Sequence, residues 1–104
     1  MTSEFVHLHN HSDYSLLDGA QRIDQLVNTI DDLNMDAVAL TEHGNMFSVL
    51  PYYKQAKKAG IKPISGCEIY VAVGSRFEKK PRSDGGWGNN HLILLAQNLK
   101  GYRN

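Results

Sequence analysis

Short apolar runs alternate with helix-forming segments along most of this chain, and that alternation limits the folds open to it. The run "DAVALTEH" predicts a strand from Ala37 to Glu42, and "KPISGCEIYVAVG" predicts another. Between them, "SVLPYYKQAKKAG" predicts a helix with Ser48 as a possible N-cap and Gly60 at its end. Such alternation is typical of parallel strands joined by crossover helices.

Two further strands and one helix complete the predicted order. Residues 4–9, "EFVHLH", predict an N-terminal strand, and "HLILLAQN" predicts a fourth, buried strand. The segment between the first two strands predicts a helix with one apolar stripe, formed by Ile23, Leu26, Val27, Ile30 and Leu33. The order β-α-β-α-β-loop-β therefore predicts an α/β fold with a mostly parallel sheet. It is either the first part of a β/α barrel or an open doubly wound sheet, and polar residues at strand ends favour the barrel.

Length, charge and cysteine content narrow the class of protein. With 104 residues the chain forms one small domain at most, and 11 basic residues balance 11 acidic ones. The net charge is zero and therefore does not favour binding to nucleic acid or membrane, so any such contact would depend on a local group of charges. Cys67 is the only cysteine, which excludes an internal disulfide and favours a reducing cytoplasm. The chain shows neither a signal peptide nor an apolar run near the roughly 20 residues that span a bilayer. We expect a cytoplasmic protein, and the ending "KGYRN" suggests the front piece of a longer one.

The stretch "HLHNHSD" places three histidines at alternate positions of the predicted first strand. His9 and His11 share one face of that strand, so they can converge on one metal ion. His7 is better explained as a core or supporting residue. Taken alone, this pair is a weak signal for a site. His43, Glu68 and His91 occur at or near the later strands, which parallel βα units bring together, so the set predicts a metal site.

Four longer motifs carry a family resemblance: "HLHNHSDYSLLDG", "ALTEHGNMF", "AKKAGIKPISGCEIYVA" and "HLILLAQNLKGYRN". From Phe5 to Asn104 the sequence resembles the PHP (polymerase and histidinol phosphatase) domain, in the form found at the N-terminus of bacterial DNA polymerase III alpha subunits. The resemblance implies a distorted (β/α)7 barrel with a metal cluster, of which residues 1–104 would be the incomplete N-terminal part. It implies metal ligands at His9, His11, Asp18, His43, Glu68 and His91. Glu42 stands where the family usually has Asp, which bears on the orientation of His43.

The resemblance also implies a function. The parent protein would be a DNA-directed DNA polymerase with DNA and other polymerase subunits as partners. Its intact PHP domain would be a 3′–5′ exonuclease or phosphoesterase that uses two or three divalent ions, namely Zn, Mn or Fe. Further ligands of the family fall after Asn104, so we expect little or no activity from this chain alone. We also expect the chain to self-associate through open strand edges.

Several alternatives stay open at this point. The domain can instead be a metal-stabilised scaffold of the polymerase without catalysis, or a stand-alone PHP phosphatase. Asp18, with Gln21 three residues on, suits a helix cap as well as a ligand. The loop from Arg76 to Asn90 is basic and contains Trp87, which is compatible with a single-stranded DNA contact, although a solvated loop is favoured.

Overall fold

A computed structural model of the chain describes residues 4–79 and 88–104. The elements in these ranges are α1 (Ile23–Asp32), β1 (Ala37–His43), α2 (Val49–Lys58), β2 (Lys62–Ala72), β3 (Asn89–Leu95) and α3 (Leu99–Arg103). The strands form one sheet in the order β1-β2-β3. The predicted α/β class is therefore confirmed. Within the two described ranges, the helices are too short and too polar for any of them to cross a membrane.

The core lies between the two long helices and β1. Helix α1 buries the predicted apolar stripe, except that Leu33 is exposed because the helix ends at Asp32. Tyr52 of α2 is fully buried, and its hydroxyl donates a hydrogen bond to the carbonyl of Val38 in β1. This contact fixes α2 on the sheet, and burial raises the pKa of Tyr52 to about 12. The buried cluster comprises Ile23, Leu26, Val27, Ile30, Val38, Leu40, Tyr52, Ala56 and Ile61.

The sheet, predicted to be mostly parallel, contains one parallel and one antiparallel pairing. Strands β1 and β2 are parallel, with His43 directly beside Glu68. Strand β3 is antiparallel to β2, with His91 beside Tyr70. It is also mostly exposed, so the prediction that this fourth strand is buried is wrong. An antiparallel neighbour needs no crossover helix, and none lies between β2 and β3 in the described residues.

The N-terminal segment follows β1 without forming a regular strand. The backbone N–H groups of Ala39 and Thr41 donate to the carbonyls of His7 and Asn10, at 2.8 and 2.9 Å. The N–H of Asn10, however, donates to the Thr41 side chain at 3.2 Å, and the Asn10 amide donates to the Ala39 carbonyl at 2.9 Å. Side-chain bonds thus replace part of the ladder. The predicted strand over residues 4–9 is wrong, although the segment still lies where it was expected, beside β1.

The helix ends show where local signals hold and where they do not. Gly60 ends α2 as predicted, with a positive φ of 77°. Ser48 precedes α2, but its side chain makes no capping hydrogen bond. The N-cap of α1 is Arg22, so Asp18 does not cap that helix. Helix α3 was not predicted, and the Asn98 side chain caps it by accepting a hydrogen bond from the N–H of Gly101 at 2.9 Å.

Candidate metal centre

The structure brings together all six residues predicted as metal ligands. The parallel register of β1 and β2 sets His43 beside Glu68, and the antiparallel pairing of β3 places His91 on the far side of Glu68. The N-terminal segment supplies His9 and His11. The set forms three overlapping groups of three, in each of which the ligand atoms lie within 4.8 Å of one another: His9, His11 and Glu68; His11, Asp18 and His43; His43, Glu68 and His91.

Glu68 is the centre of this arrangement and is only 4% exposed. One carboxylate oxygen, Oε2, lies 2.8 Å from His9 Nε2 and 2.5 Å from His11 Nε2. The other, Oε1, lies 2.7 Å from His91 Nδ1. Burial opposes ionisation, but hydrogen bonds from His9 and His11 outweigh it and hold the pKa of Glu68 below its usual value. A buried carboxylate with histidines on both oxygens is a suitable anion for a cation site.

Asp18 belongs to the group that also contains His11 and His43. Its Oδ2 atom lies 2.6 Å from His43 Nδ1 and 3.1 Å from His11 Nδ1. The hydrogen bond with His43 lowers the pKa of Asp18, and the same bond raises the pKa of His43 against the effect of desolvation. The interpretation of Asp18 as a helix cap is therefore wrong, and its side chain lies in the histidine cluster.

The donor set fits a divalent transition metal. Zinc binds imidazole nitrogen and carboxylate oxygen at about 2.0–2.2 Å, so two donors on one ion lie at most about 4.4 Å apart. The contacts within the cluster range from 2.5 to 3.3 Å. In addition, His43 Nε2 is buried and has no hydrogen-bond partner among the described residues. A buried nitrogen lone pair or N–H without a partner is costly, and a metal ion would satisfy the nitrogen.

A buried polar anchor holds the loop that carries Asp18. Glu42 is 1% exposed, and its carboxylate accepts hydrogen bonds from the backbone N–H of Ser12 at 2.6 Å and from the Ser15 hydroxyl at 2.9 Å. The Ser15 Oγ atom in turn accepts from the backbone N–H of His43 at 2.9 Å. The resemblance implied that Glu42 bears on the orientation of His43. In the structure the Glu42 carboxylate contacts Ser15, and Ser15 contacts the backbone of His43.

The loop also explains why glycine follows Asp18. The N–H groups of Asp18 and Gly19 both donate to the carbonyl of Ser15, at 3.1 and 2.8 Å, so the chain turns tightly. A Cβ atom on Gly19 would lie 1.7 Å from the carbonyl oxygen of Ser12. Only glycine fits this close approach. Asp18 is therefore delivered to the cluster by a turn with little freedom.

Several residues differ from what the sequence predicted. His7 is exposed rather than in the core, and its ring packs edge-on against Phe5 with centroids 4.7 Å apart. No described contact joins the His7 ring to the cluster. Ser12 and Ser15 were missed, because serines in a polar loop carry no signal that they will be buried. The loop from Arg76 to Asn90, for which a solvated loop was favoured over a DNA contact, falls largely on residues 80–87, which lie outside the described residues.

Comparison with known families agrees with this architecture. The PHP domain model matches residues 7–104, and the chain belongs to the PHP domain family. The chain is 55% identical over 102 residues to the DNA polymerase III subunit alpha of Borreliella burgdorferi, which covers 98% of this chain and 9% of that protein. It is 45% identical over 113 residues to the same subunit of Mycobacterium tuberculosis, covering 98% of this chain and 10% of the relative. The chain thus spans about a tenth of the length of the curated relatives it matches.

Solved structures share the fold at low sequence identity. An amidohydrolase from Chromobacterium violaceum, solved with bound sulfate and no metal, superposes with a TM-score of 0.65 at 22% identity, covering 88% of this chain and 27% of that one. A protein described as a metal-dependent phosphoesterase from Bifidobacterium adolescentis gives a TM-score of 0.58 at 19% identity, covering 69% of this chain and 25% of that one. At these identities the likeness concerns the fold.

Proposed function

We propose that this chain is the N-terminal part of the PHP domain of a cytoplasmic replicative DNA polymerase, and that the intact domain hydrolyses the phosphodiester at a DNA 3′ end. The observation that carries the proposal is the convergence of six ligand-type side chains, with the buried Glu68 at their centre. Identities of 45% and 55% to DNA polymerase III alpha subunits support the polymerase assignment. DNA and the other polymerase subunits would be the partners, and the domain would be a distorted (β/α)7 barrel.

The residues present fit two or three divalent ions, with Zn, Mn and Fe equally suited to histidine and carboxylate donors. Such ions, when bound, supply Lewis-acid activation of a phosphoryl group and of the attacking water. The protein's own contribution is position and charge. Asp18 contacts Nδ1 of both His11 and His43, which orients the two rings. The Nε2 atom of His11 then faces Glu68, and the Nε2 atom of His43 has no hydrogen-bond partner among the described residues. Glu68 places negative charge between the two halves of the cluster.

A direct test uses the protein expressed from its complete reading frame, because we expect the 104-residue chain alone to have little activity. Metal content and release of nucleotides from a labelled DNA 3′ end are measured before and after chelation, with Mn²⁺ added back. We expect His9→Ala and His11→Ala each to lose bound metal and to lower hydrolysis at least about 100-fold. His7→Ala is the matched control, since that histidine lies outside the cluster, and it should retain both properties. Full hydrolysis by the His11→Ala protein would contradict the proposal.

A scaffold role is the second candidate, and one observation favours it. Glu68 joins residues that are distant in sequence, with contacts to His9 and His11 on one oxygen and to His91 on the other. An ion held there would stabilise the fold whether or not it catalysed a reaction. Loss of metal and of thermal stability in His11→Ala, without hydrolysis by the unmodified protein, would select the scaffold role.

A further inference from the structure

A cavity of about 780 Å³ opens beside the candidate metal centre, a volume in the range of small-molecule sites. Asp18 and His43 form part of its wall, so the cavity and the cluster share two residues. Most of the remaining wall is aromatic or aliphatic. These side chains are here called the base pocket: Tyr14, Leu16, Leu17, Phe47 and Tyr70.

The base-pocket side chains are unusually exposed for large apolar residues. Leu16, Leu17 and Phe47 are 88%, 102% and 77% exposed. Contiguous exposed apolar surface with polar groups at its edge marks interaction sites and ligand-binding grooves. Since the cavity wall shares Asp18 and His43 with the candidate metal centre, a single ligand can contact both.

The aromatic rings are presented by groups already fixed at the cluster. The Tyr70 ring packs against the His43 ring with centroids 5.1 Å apart. Asn45 holds the turn that carries Phe47: its amide donates to the His43 carbonyl at 3.3 Å, and its Oδ1 accepts from the Phe47 N–H at 3.1 Å. The Tyr14 N–H donates to the Ser12 hydroxyl at 3.2 Å. The backbone around these rings is therefore held in place while the rings face the cavity.

The charges of the cavity wall narrow the chemistry of the occupant. Its charged side chains are Asp13 and Asp18, and the described residues of the wall include neither lysine nor arginine. The wall alone therefore does not attract phosphate, and a strand of nucleic acid laid along it would lack the basic groove that such binding uses. A ligand with a flat apolar part for the wall and an anionic part for the metal centre fits both regions. A single nucleotide has this composition.

We propose that the base pocket binds the terminal nucleobase of the DNA 3′ end, stacked on aromatic rings, while the adjoining phosphodiester lies at the metal centre. The inference rests on the proposed function and adds how that substrate is recognised. A base inside a duplex is stacked and paired, so the terminal nucleotide must be unpaired to enter. Stacking on apolar and aromatic side chains is tolerant of base identity, so the pocket selects a frayed end rather than a sequence.

The test compares two single-stranded oligonucleotides with the protein from its complete reading frame and Mn²⁺. One ends in a normal 3′ nucleotide, and the other is identical except for an abasic 3′-terminal residue. We expect the unmodified protein to prefer the normal end in kcat/KM by roughly tenfold, and Phe47→Ala to remove most of that preference. Phe77→Ala is the matched control, because Phe77 is also 77% exposed but lies outside the base pocket. It should leave the preference intact.

Equilibrium binding of the same two oligonucleotides, measured by fluorescence anisotropy with a chelator present, separates this inference from the proposed function. Metal-dependent hydrolysis of the diester bis(p-nitrophenyl) phosphate together with equal treatment of both DNA ends would overturn the base pocket and leave the hydrolase. A Phe47-dependent preference in binding without any hydrolysis would support the base pocket and refute the hydrolase. If Phe47→Ala lowers the melting temperature and leaves the preference unchanged, protein covers this surface and the inference is wrong.

Discussion

Replacing Glu42 by alanine tests whether the buried anchor holds the metal centre together. The carboxylate accepts two hydrogen bonds, from the Ser12 N–H at 2.6 Å and from the Ser15 hydroxyl at 2.9 Å. Hydrogen bonds to a charged group contribute roughly 1.5–3 kcal/mol each, and removing the acceptor leaves buried donors unsatisfied. Release of the buried Glu42 carboxylate offsets part of this loss. We expect the free energy of unfolding to fall by about 3 kcal/mol, a large share of the roughly 5–15 kcal/mol typical of a domain.

The same substitution should weaken metal binding, because the anchored loop carries Asp18. Changes in groups that orient metal ligands typically lower metal affinity by roughly 10- to 100-fold. Urea unfolding monitored by circular dichroism measures the first effect, and titration with Zn²⁺ or Mn²⁺ measures the second. Glu42→Asp is the informative conservative variant. Its side chain is one methylene shorter, so we expect it to keep one of the two hydrogen bonds and to fall between the other proteins.

The control for Glu42 is another acidic residue with a surface partner. Asp24 is exposed and pairs with Arg22 at 3.0 Å, so Asp24→Ala should change stability by less than about 1 kcal/mol. If Glu42→Ala is as stable as Asp24→Ala and binds metal with unchanged affinity, the anchor has no role in forming the site. The buried hydrogen bonds of Ser12 and Ser15 would then have to be replaced by water or by each other.

Three further predictions concern pH, the core and association. The Asp18–His43 bond lowers the pKa of Asp18 and raises that of His43, so its contribution to stability of the metal-free chain is complete between about pH 4 and 6.5. This stabilisation is lost as the pH rises through the folded-state pKa of His43 or falls through that of Asp18. If the urea midpoint of Asp18→Asn depends on pH in the same way as that of the unmodified chain, the bond does not contribute in this manner. Tyr52→Phe removes the hydrogen bond to the Val38 carbonyl and should cost about 1 kcal/mol in urea unfolding. The 104-residue chain should self-associate through β3, where Leu94 is 48% exposed. Leu94→Lys should therefore shift sedimentation toward the monomer. If the unmodified chain is a monomer at every dilution, the prediction of self-association is wrong.

Periodicity in the sequence was sufficient for α1, α2 and the first two strands of the sheet, whereas α3 was not predicted. The stripe from Ile23 to Ile30 predicts α1 because spacings of three and four residues place side chains on one helical face. The direction of β3 was not accessible in this way, since an apolar run such as "LILL" is compatible with either direction of pairing. The N-terminal segment failed for a different reason. Asn10 uses its side-chain amide and its backbone N–H for hydrogen bonds to Ala39 and Thr41 of β1, and a strand pattern does not reveal that these bonds replace part of a regular ladder.

The sequence was sufficient to predict which residue types form the candidate site, but not the contacts that hold them in place. Histidine and carboxylate at the ends of neighbouring elements indicate a shared edge, and the cluster at Glu68 has that composition. The anchor of the Asp18 loop depends on Glu42 meeting Ser12 and Ser15, which are 30 and 27 positions away in sequence. Such contacts arise only once the N-terminal segment lies beside β1. Gly19 is the one local sign of the tight turn. The need for glycine there becomes clear only from the structure, where the backbone passes too close to the Ser12 carbonyl for a Cβ atom.

The metal centre and the base pocket depend on the fold to different degrees. Glu68 lies within β2, so a shift of one residue in the pairing with β1 would turn it to the opposite face of the sheet. Metal binding therefore requires the same register that sets His43 beside Glu68, and mutations that disturb β2 should affect stability and the metal centre together. Leu17 and Phe47 lie outside the helices and strands and are largely exposed. Their replacement costs the fold little, so substrate preference can change while the metal centre is kept.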